Sequence, residues 1–351
     1  RLPRPRMGAI PVPASPRRPA IPVYRWPDAI LEGREGGYPT DIRAIYNVGG
    51  NYLVQGADVH KSLRAWQKVE FAVCHELFLT PTTRHCDVVL PTTHWLERDD
   101  VTFGSGNYIF FSNRAVPPLP ECRDDYDIFC ELAIRLGFGL AYSEGKDAES
   151  WLRSLVADSE VPDYEEFRRT GIHLGRDQLR VGLADFVADP VRHPLRTPSG
   201  RVEIASPAYE AQTGFPRVPV SRILPTDERY PLRLVTPKPH YRIHSQGAQI
   251  AWFREQEPPV LWMHPEDAAP RGIADGQPVR ISSPEGRVCI PVRVTDDIMP
   301  GVVCLLQGTW PAFDAEGTDT AGSANVLTST VPTEPSQGSR THSVLVQVHP
   351  A

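Results

Sequence analysis

The chain has 351 residues, of which 40% are hydrophobic and 23% charged, and its formal net charge at pH 7 is −6. These proportions are ordinary for a globular protein, and the length suffices for two or three hydrophobic cores. A negative chain without a broad basic face argues against nucleic-acid binding. No apolar run approaches the ~20 residues of a membrane-spanning helix, so we expect no direct membrane insertion.

The first 22 residues are rich in arginine and proline and contain no acidic residue. Proline-rich segments resist helix formation and sheet pairing, so residues 1–22 are predicted to be an extended connector. The sequence begins with Arg1 rather than Met and lacks a signal-peptide pattern. We therefore expect a fragment or a processed product.

Residues 23–144 alternate predicted strands with short helices. The predicted strands cover residues 42–46, 69–74 and 87–90, the first of them buried, and the predicted helices cover residues 28–32, 60–67 and 126–137. Such alternation is typical of parallel βαβ units, and it predicts a parallel-sheet α/β domain. Residues 145–228 are a mixed linker and helical region, with one predicted helix near residues 148–158.

From residue 229 to 351 the pattern is that of short strands. They are predicted at residues 232–235, 279–282, 286–295, 301–306 and 341–348. The dipeptides Asp275-Gly276 and Glu285-Gly286 are typical of turns, and residues 265–271 form one embedded helix. Short strands at close spacing predict a small closed β-barrel.

The six cysteines form neither a CxxC pair nor a zinc or iron–sulfur spacing. Cys74 and Cys304 lie in apolar, strand-like runs, which favours buried and inert thiols. A disulfide framework is not expected in so large a core-forming chain.

The first candidate binding stretch is Asn47-Val-Gly-Gly-Asn51, between a predicted strand and a helix. A glycine pair there lets backbone N–H groups approach an anion at a helix N-terminus. Asn47, Asn51 and Gln55 add neutral donors and acceptors. A tight turn without a ligand is the alternative left open.

A second stretch follows the next predicted strand, which ends at His75 and Glu76. Ligands of open parallel sheets bind beyond the carboxyl ends of the strands, so these residues are placed for a nucleoside. Glu76 could hold ribose hydroxyls or the N–H edge of guanine, and Thr80 to Thr82 could hold a phosphate. Solvated loop residues are the alternative. Solvation is also the favoured interpretation of the acidic group Glu97, Asp99 and Asp100.

The third stretch is the polar run from residue 236 to 246. His240 and His244 have the spacing of a helical metal pair, but Pro237 and Pro239 make a helix and therefore zinc a poor interpretation. A loop of donors suits a flat, heteroatom-rich anion, with Lys238 or Arg242 meeting phosphate. A solvated barrel loop is equally compatible. A further polar set lies at residues 325–328 and 335–343, ahead of the last strand.

Together these stretches resemble the C-terminal part of a molybdopterin-dependent oxidoreductase of the dimethyl sulfoxide reductase family, closest to its anaerobic dimethyl sulfoxide reductase branch. The resemblance covers roughly residues 20–349 and rests on residues 45–55, 75–82, 87–91, 96–97, 123–128, 263–279 and 325–328. It implies a molybdopterin-guanine-dinucleotide-binding region at 23–144 and a double-psi β-barrel, the molybdopterin dinucleotide-binding domain, at 229–351.

The resemblance also implies a molybdenum bis(molybdopterin guanine dinucleotide) cofactor. Its implied contacts from the α/β part are Asn47, Gly49, Asn51, Gln55, His75, Glu76, Thr80 and Thr82. Those from the barrel side are Thr236, Lys238, His240, His244, Ser245, Asn325, Gln337 and His342. The family's metal ligand and the cysteines of its 4Fe-4S cluster are expected upstream, so this segment holds no catalytic residue or metal ligand and is expected to be inactive alone.

Two hypotheses follow. In the first, the chain is the cofactor-holding C-terminal part of a reductase that transfers an oxygen atom or two electrons at molybdenum, with a sulfoxide-type substrate. The partners implied are the N-terminal part of the same chain, an iron–sulfur electron-transfer subunit and a membrane anchor subunit, in a periplasmic or extracytoplasmic location. In the second, the chain is a stand-alone or degenerate pterin-nucleotide binding module without catalysis.

Overall fold

The computed structural model describes residues 4–12, 20–104, 106–175, 181–221, 225–226, 228–334 and 336–351. The chain divides into two compact units, each made of two chain segments. The first unit comprises residues 1–17 and 90–221, and the second comprises residues 18–89 and 222–351. Because the units group segments that are distant in sequence, the boundaries predicted at residues 22, 144 and 228 stay a prediction.

The described residues contain strands, α-helices and short 3₁₀ turns. The strands are β1 (Ala44–Val48), β2 (Phe71–Glu76), β3 (Val88–Pro91), β4 (Asp100–Phe103), β5 (Tyr108–Ser112), β6 (Ile172–Leu174), β7 (Leu232–Val235), β8 (Leu261–Met263), β9 (Pro278–Ser282), β10 (Arg287–Val294), β11 (Val302–Cys304) and β12 (Val344–Pro350). The helices are α1 (Trp26–Glu32), α2 (Tyr52–Gln55), α3 (Val59–Lys68), α4 (Asp125–Arg135), α5 (Gly139–Ser143), α6 (Ala148–Ala157), α7 (Tyr164–Thr170), α8 (Ala184–Ala188), α9 (Pro207–Thr213), α10 (Ala251–Gln256) and α11 (Pro265–Ala268). The 3₁₀ turns are Val23–Arg25, Gly33–Gly36, Thr83–His85, Trp95–Glu97, Ala269–Arg271 and Ala324–Val326.

In the second unit, β1 and β2 pair in parallel, and the sheet has the order β1-β2-β3. Helix α3 covers one face of it, beginning where the Asp58 carboxylate accepts a hydrogen bond from the Lys61 N–H at 2.9 Å. Leu53, Trp66 and Ala72 form the core beneath the sheet. The predicted parallel α/β arrangement is therefore confirmed.

The expectation that the first strand is buried was wrong. Of the five residues of β1, Asn47 alone is buried, whereas Tyr46 and Val48 are exposed. The exposed residues Ala44, Tyr46 and Val48 alternate with the less exposed Ile45 and Asn47, so the described residues cover only one face of the strand.

The C-terminal strands form a closed barrel of order β10-β8-β11-β7-β12-β9, which confirms the predicted fold class. The pairs β10/β8 and β11/β7 are parallel and the others antiparallel. Inward residues alternate along each strand, as in Leu232 and Leu234 of β7 and Val279 and Ile281 of β9, and all four are at most 1% exposed. Period-2 burial of this kind is what the apolar alternation predicts.

The first unit contains an antiparallel sheet, β4-β5-β6, that the sequence interpretation did not predict. Ile109 and Phe111 of β5 pack against Leu152 and Val156 of α6 and Phe167 of α7. The helices expected near residues 126–137 and 148–158 are confirmed as α4 and α6.

The acidic group of this unit is not a solvated loop. The Asp99 carboxylate forms an ion pair with Arg168 at 2.6 Å. Glu97 is buried and accepts hydrogen bonds from the His94 N–H at 2.7 Å and the Leu119 N–H at 3.0 Å. These carboxylates therefore brace the fold, because each compensates donors that would otherwise lack partners.

The predicted connector falls partly on residues 1–3 and 13–19, which lie outside the described residues; residues 4–12 contain neither helix nor strand. Within the described ranges, no helix combines the length and apolar character needed to cross a bilayer.

Candidate functional site

A turn at the carboxyl end of β1 joins it to α2. Gly49 has φ +61°, a left-handed conformation that favours glycine, and its N–H donates to the carbonyl of His75 on β2 at 3.0 Å. A Cβ at Gly49 would meet no atom within 4 Å. The glycine is therefore required by backbone conformation, and the space beside it is open.

Asn47 is 3% exposed, and its amide nitrogen has two partners. Nδ2 donates to the carbonyl of Gly50 at 2.7 Å and to Sγ of Cys74 at 3.0 Å. Its Oδ1 is buried without a partner. An unsatisfied buried polar atom costs about 1–3 kcal/mol, so this oxygen is a candidate acceptor for a donor on a bound molecule.

Asn51 has the opposite arrangement. Its Oδ1 accepts from Thr82 Oγ1 at 2.9 Å, and its Nδ2 is buried without a partner. Thr82 is fully buried, and its hydroxyl also accepts from the Leu53 N–H at 3.0 Å. The hydroxyl bonds of Thr82 are thus internal, and its contact with a phosphate stays a prediction.

Thr80 is buried as well, and its Oγ1 accepts from the N–H of Thr83, at the start of the 3₁₀ turn, at 3.2 Å. Gln55 is exposed at the last position of α2.

His75 is 1% exposed, and its Nε2 lies 2.7 Å from the hydroxyl of Tyr46. Glu76 is half-buried at the end of β2 and accepts from the N–H of Leu77 at 2.9 Å. Of the pair placed at this strand end, His75 is a buried sheet residue rather than a solvated one.

On the barrel side, two predicted residues meet directly. The backbone N–H of Thr236 donates to His342 Nδ1 at 3.2 Å, and the Thr236 hydroxyl donates to the carbonyl of Thr341 at 3.0 Å. Ser245 is buried, and its carbonyl accepts from Trp310 Nε1 at 2.9 Å. These bonds hold the loop that follows β7 against the segment that precedes β12.

The other predicted barrel-side residues face solvent. Lys238, His240, His244 and Gln337 are exposed. The N–H of His240 donates to Glu257 Oε1 at 3.2 Å. Exposed cations and imidazoles on a loop are compatible with phosphate binding and equally with a solvated loop, so their assignment stays a prediction.

Arg242, the alternative to Lys238 as a predicted phosphate contact, has a distinct environment in the structure. Arg242 is buried beneath the loop, and burial lowers the pKa of its guanidinium while the Glu257 carboxylate opposes that shift. Arg242 Nε, Gln249 Oε1 and Glu257 Oε2 are all buried without hydrogen-bond partners. The guanidinium of Arg242 is therefore largely shielded from water, and its contact with a phosphate stays a prediction.

Asn325 connects the two parts of the second unit. Its Nδ2 donates to the carbonyl of Val54 in α2, and its main-chain carbonyl accepts from the hydroxyl of Thr328 at 3.2 Å. The carbonyl of Thr328 accepts from the Asp58 N–H at 2.8 Å. The segment before β12 is therefore attached to the helix that follows the Asn47–Asn51 turn.

The cysteines of the described chain are free thiols. Burial raises the pKa of Cys86 to about 12 and that of Cys304 to about 11. Such thiols stay protonated at neutral pH and are poor nucleophiles and poor metal ligands. The described residues contain no group of three or more His, Cys, Asp or Glu side chains arranged to hold a metal ion.

Comparison with known proteins gives two family matches. The model of molybdopterin oxidoreductases matches residues 27–135, and that of the molybdopterin dinucleotide binding domain matches residues 232–345. The dimethyl sulfoxide/trimethylamine N-oxide reductase of Rhodobacter capsulatus is 36% identical over 93% of this chain and 44% of its own length. The dimethyl sulfoxide reductase DmsA of Escherichia coli strain K12 is 32% identical over 95% of this chain and 46% of its own. The biotin sulfoxide reductase of Cereibacter sphaeroides is 34% identical over 93% and 48%.

Among solved structures, acetylene hydratase from Pelobacter acetylenicus aligns with a TM-score of 0.75 at 23% identity, over 93% of this chain and 46% of that one. This likeness establishes a shared fold. The chain spans somewhat under half the length of the curated relatives that it matches. From the two family matches and the relatives aligned along almost its whole length, the chain belongs to the dimethyl sulfoxide reductase family of molybdopterin oxidoreductases.

Proposed function

We propose that this chain is the C-terminal, cofactor-holding part of a bis(molybdopterin guanine dinucleotide) oxidoreductase that reduces a sulfoxide or an N-oxide. The substrate class is that named for its relatives, which reduce dimethyl sulfoxide, trimethylamine N-oxide or biotin sulfoxide. The observation that carries the proposal is the pair of buried, unpartnered amide atoms, Asn47 Oδ1 and Asn51 Nδ2, at the carboxyl end of a parallel strand.

The donor set fits such a cofactor. A guanine dinucleotide offers ring N–H and carbonyl groups, which neutral amides recognise without a charge. The turn of Asn47, Gly49 and Asn51 supplies these amides next to a glycine with open space beside it. The exposed Lys238 and His240 supply positive or polar groups for phosphate oxygens on the barrel side.

In the proposed enzyme, the role of this chain is positional. When bound, the cofactor supplies oxygen-atom and two-electron transfer at its metal, and the protein fixes its place and surroundings. The Asn47–Asn51 turn orients one dinucleotide, with His75 and Glu76 at the next strand end. Thr236, Ser245 and His342 shape the barrel loops on the other side, and Asn325 couples those loops to α2.

The wider assembly is part of the proposal. The metal ligand and a 4Fe-4S cluster would come from an N-terminal part of the same protein, and electrons would arrive through an iron–sulfur subunit with a membrane anchor. Support for a longer protein comes from the relatives, which are each about twice the length of this chain. A stand-alone pterin-binding module is not favoured, because 93% or more of the chain aligns with reductases.

The proposal is tested by assaying the complete natural protein with a reduced viologen dye as electron donor. Dimethyl sulfoxide, trimethylamine N-oxide and nitrate are offered separately, and dye oxidation is followed. We expect turnover with the sulfoxide or the N-oxide and none with nitrate. Replacing Asn47 by Ala should lower activity together with bound pterin, whereas Gln212→Ala, an exposed position of α9, should change neither. A protein that carries its cofactor and reduces neither compound would contradict the proposed substrate class.

A further inference from the structure

One face of the β1-β2 pair is packed, and the other is not. Ile45 packs against the core cluster that contains its register partner Ala72, on the face that α3 covers. Tyr46, Val48 and Phe71 point to the opposite face, because side chains alternate along a strand, and each is between 44% and 47% exposed. We call these three side chains the open face. Parallel sheets are normally covered on both faces, so the described residues cover this one by half.

The outer edge of β1 is also open to pairing. Because the sheet has the order β1-β2-β3, β1 is paired along one side only within the described ranges. Its five residues, Ala-Ile-Tyr-Asn-Val, include no proline and no charged side chain. Natural proteins use prolines and charges to block an edge strand, and an unblocked edge is a template for a further strand. An unblocked edge beside an apolar face fits a strand together with a helix that packs on the sheet.

A second exposed apolar group follows β2 directly. Leu77, Phe78 and Leu79 are consecutive and are 42%, 54% and 67% exposed. Single exposed apolar side chains are ordinary on a protein surface, whereas contiguous ones mark interaction sites. Together with the open face, this run indicates that the β1-β2 pair is an interaction surface.

The partner that fits this surface is the remaining part of the same protein. This chain covers between 44% and 48% of the length of its curated relatives, so more than half of each relative has no counterpart in it. A parallel neighbour of β1 needs a crossover of about a dozen or more residues, usually a helix, and such a helix packs on a face of the sheet. Two copies of this chain paired through β1 would extend the sheet edge to edge and leave the open face of both uncovered.

The handedness of crossovers selects the face on which the added helix lies. Crossovers between parallel strands are right-handed, and α3 joins β1 to β2 on the covered face. A unit that starts next to β1 and proceeds away from β2 crosses the sheet in the opposite direction, so its helix lies on the open face. The strand order then reverses at β1, and open α/β sheets bind ligands at the carboxyl ends of the strands at such a point. The Asn47–Asn51 turn lies at this end of β1.

We propose that the open face and the outer edge of β1 are the docking surface for a strand and its following helix from the remaining part of the same protein. The strand lies parallel to β1, and the helix packs its apolar side on Tyr46, Val48 and Phe71. The inference rests on the proposed function, because that function requires a longer protein, and it adds the surface that receives the rest of the chain.

The test is photo-crosslinking of the complete natural protein with p-benzoylphenylalanine in place of Phe71. Phe71 begins β2 and pairs with the first residue of β1, so the probe lies at the opposite end of the strand pair from the Asn47–Asn51 turn. We expect a cross-link within one chain, to a peptide outside these 351 residues, identified by mass spectrometry. The matched control carries the same probe at Met299, which is 67% exposed in the loop between β10 and β11 and should give little of this product.

Each other outcome has a distinct meaning. A product of doubled mass in denaturing gels would assign the open face to a second copy and overturn the proposal, and so would a Phe71 probe that gives no more product than the Met299 probe. A protein that cross-links as expected but contains no pterin would leave this inference standing and overturn the proposed function. A pterin-loaded protein without the cross-link would overturn this inference alone.

Two substitutions, Phe71→Arg and Phe71→Leu, test the same contact without a probe. If a helix covers Phe71, the buried charge should lower the midpoint of urea unfolding of the complete protein by about 1 M, and leucine should lower it by less than half as much. Midpoints of both variants within about 0.3 M of the wild type would place Phe71 in water and contradict the covering helix, because exposed positions tolerate substitution.

Discussion

Asp319 is predicted to be the residue on which the loop before the last barrel strand most depends. Its carboxylate is 0% exposed and accepts four backbone N–H groups: Ala312 at 2.7 Å, Ala321 at 3.3 Å, Gly322 at 2.8 Å and Ser323 at 2.6 Å. Its own backbone bonds to β10, through the Cys289 N–H at 2.8 Å and the Arg287 carbonyl at 2.9 Å. The side chain thus holds the loop in place beside the barrel.

The magnitude follows from these bonds. A hydrogen bond to a charged group contributes about 1.5–3 kcal/mol, and each buried donor left alone costs about 1–3 kcal/mol. The weaker bond at 3.3 Å and local relaxation reduce the sum, so Asp319→Ala should lower the free energy of unfolding by about 4 kcal/mol. Asp319→Asn keeps one acceptor oxygen but turns an NH₂ group toward N–H donors, and should cost about 3 kcal/mol.

The assay is urea unfolding of the complete protein, with hydrogen exchange of the barrel amides to locate the transition. Asp314→Asn is the matched control, because Asp314 lies in the same loop and accepts two N–H groups but is exposed. We expect it to cost less than about 1 kcal/mol, since water can replace its bonds. An Asp319→Ala protein within 1 kcal/mol of the wild type would refute this account of the loop.

Three further predictions concern other parts of the second unit. Gly308 has φ +90°, and a Cβ there would overlap the carbonyl oxygen of His244, so Gly308→Ala should lower the free energy of unfolding in urea by about 2–3 kcal/mol. The control Gly276→Ala, at φ +74° with no atom within 4 Å of the added Cβ, should lower it by about 1 kcal/mol. Equal losses in the two variants would contradict the steric argument. Burial raises the pKa of Cys86 to about 12, so its thiolate fraction at pH 8 is roughly one in 10⁴. The rate of its alkylation, followed by mass spectrometry, should therefore rise about tenfold per pH unit from pH 7 to 9. Labelling of the folded protein at pH 7 as fast as in urea would show that the reactivity of this thiol is not suppressed by folding. Leu234→Ala empties a fully buried position of β7 and should lower the free energy of unfolding by about 2–5 kcal/mol, and a loss below 1 kcal/mol would mean that the barrel core repacks.

The fold was largely predictable because its strongest signals are local. Alternating apolar residues predicted β7, β9, β10 and β12, and the glycine pair after a strand predicted the turn at Asn47. Strand β8 is not predicted, because its three residues stand between prolines at positions 259 and 265, whereas the equally short β11 lies within a longer apolar run at residues 301–306. The exposure of β1 could not be read from its composition, since it depends on which face of the strand other parts of the chain cover.

The candidate site was predictable in its location but not in its hydrogen bonding. Asn47 and Asn51 stand out in the sequence as polar residues around glycines. The partners that orient their amides, Cys74 and Thr82, lie 27 and 31 residues further along the chain. No local pattern pairs such distant residues, and Cys74 was interpreted as an inert core thiol. Likewise, the charge of Arg242 is visible in the sequence, whereas its burial is not.

We infer that this chain holds a molybdopterin guanine dinucleotide cofactor as part of a longer enzyme. The most direct test is the metal and pterin content of the complete natural protein, by elemental analysis and by the fluorescence of the oxidised, released pterin. We expect about one molybdenum or tungsten atom and two guanine dinucleotides per chain. A protein purified without metal and without pterin, from a host that makes both, would contradict it.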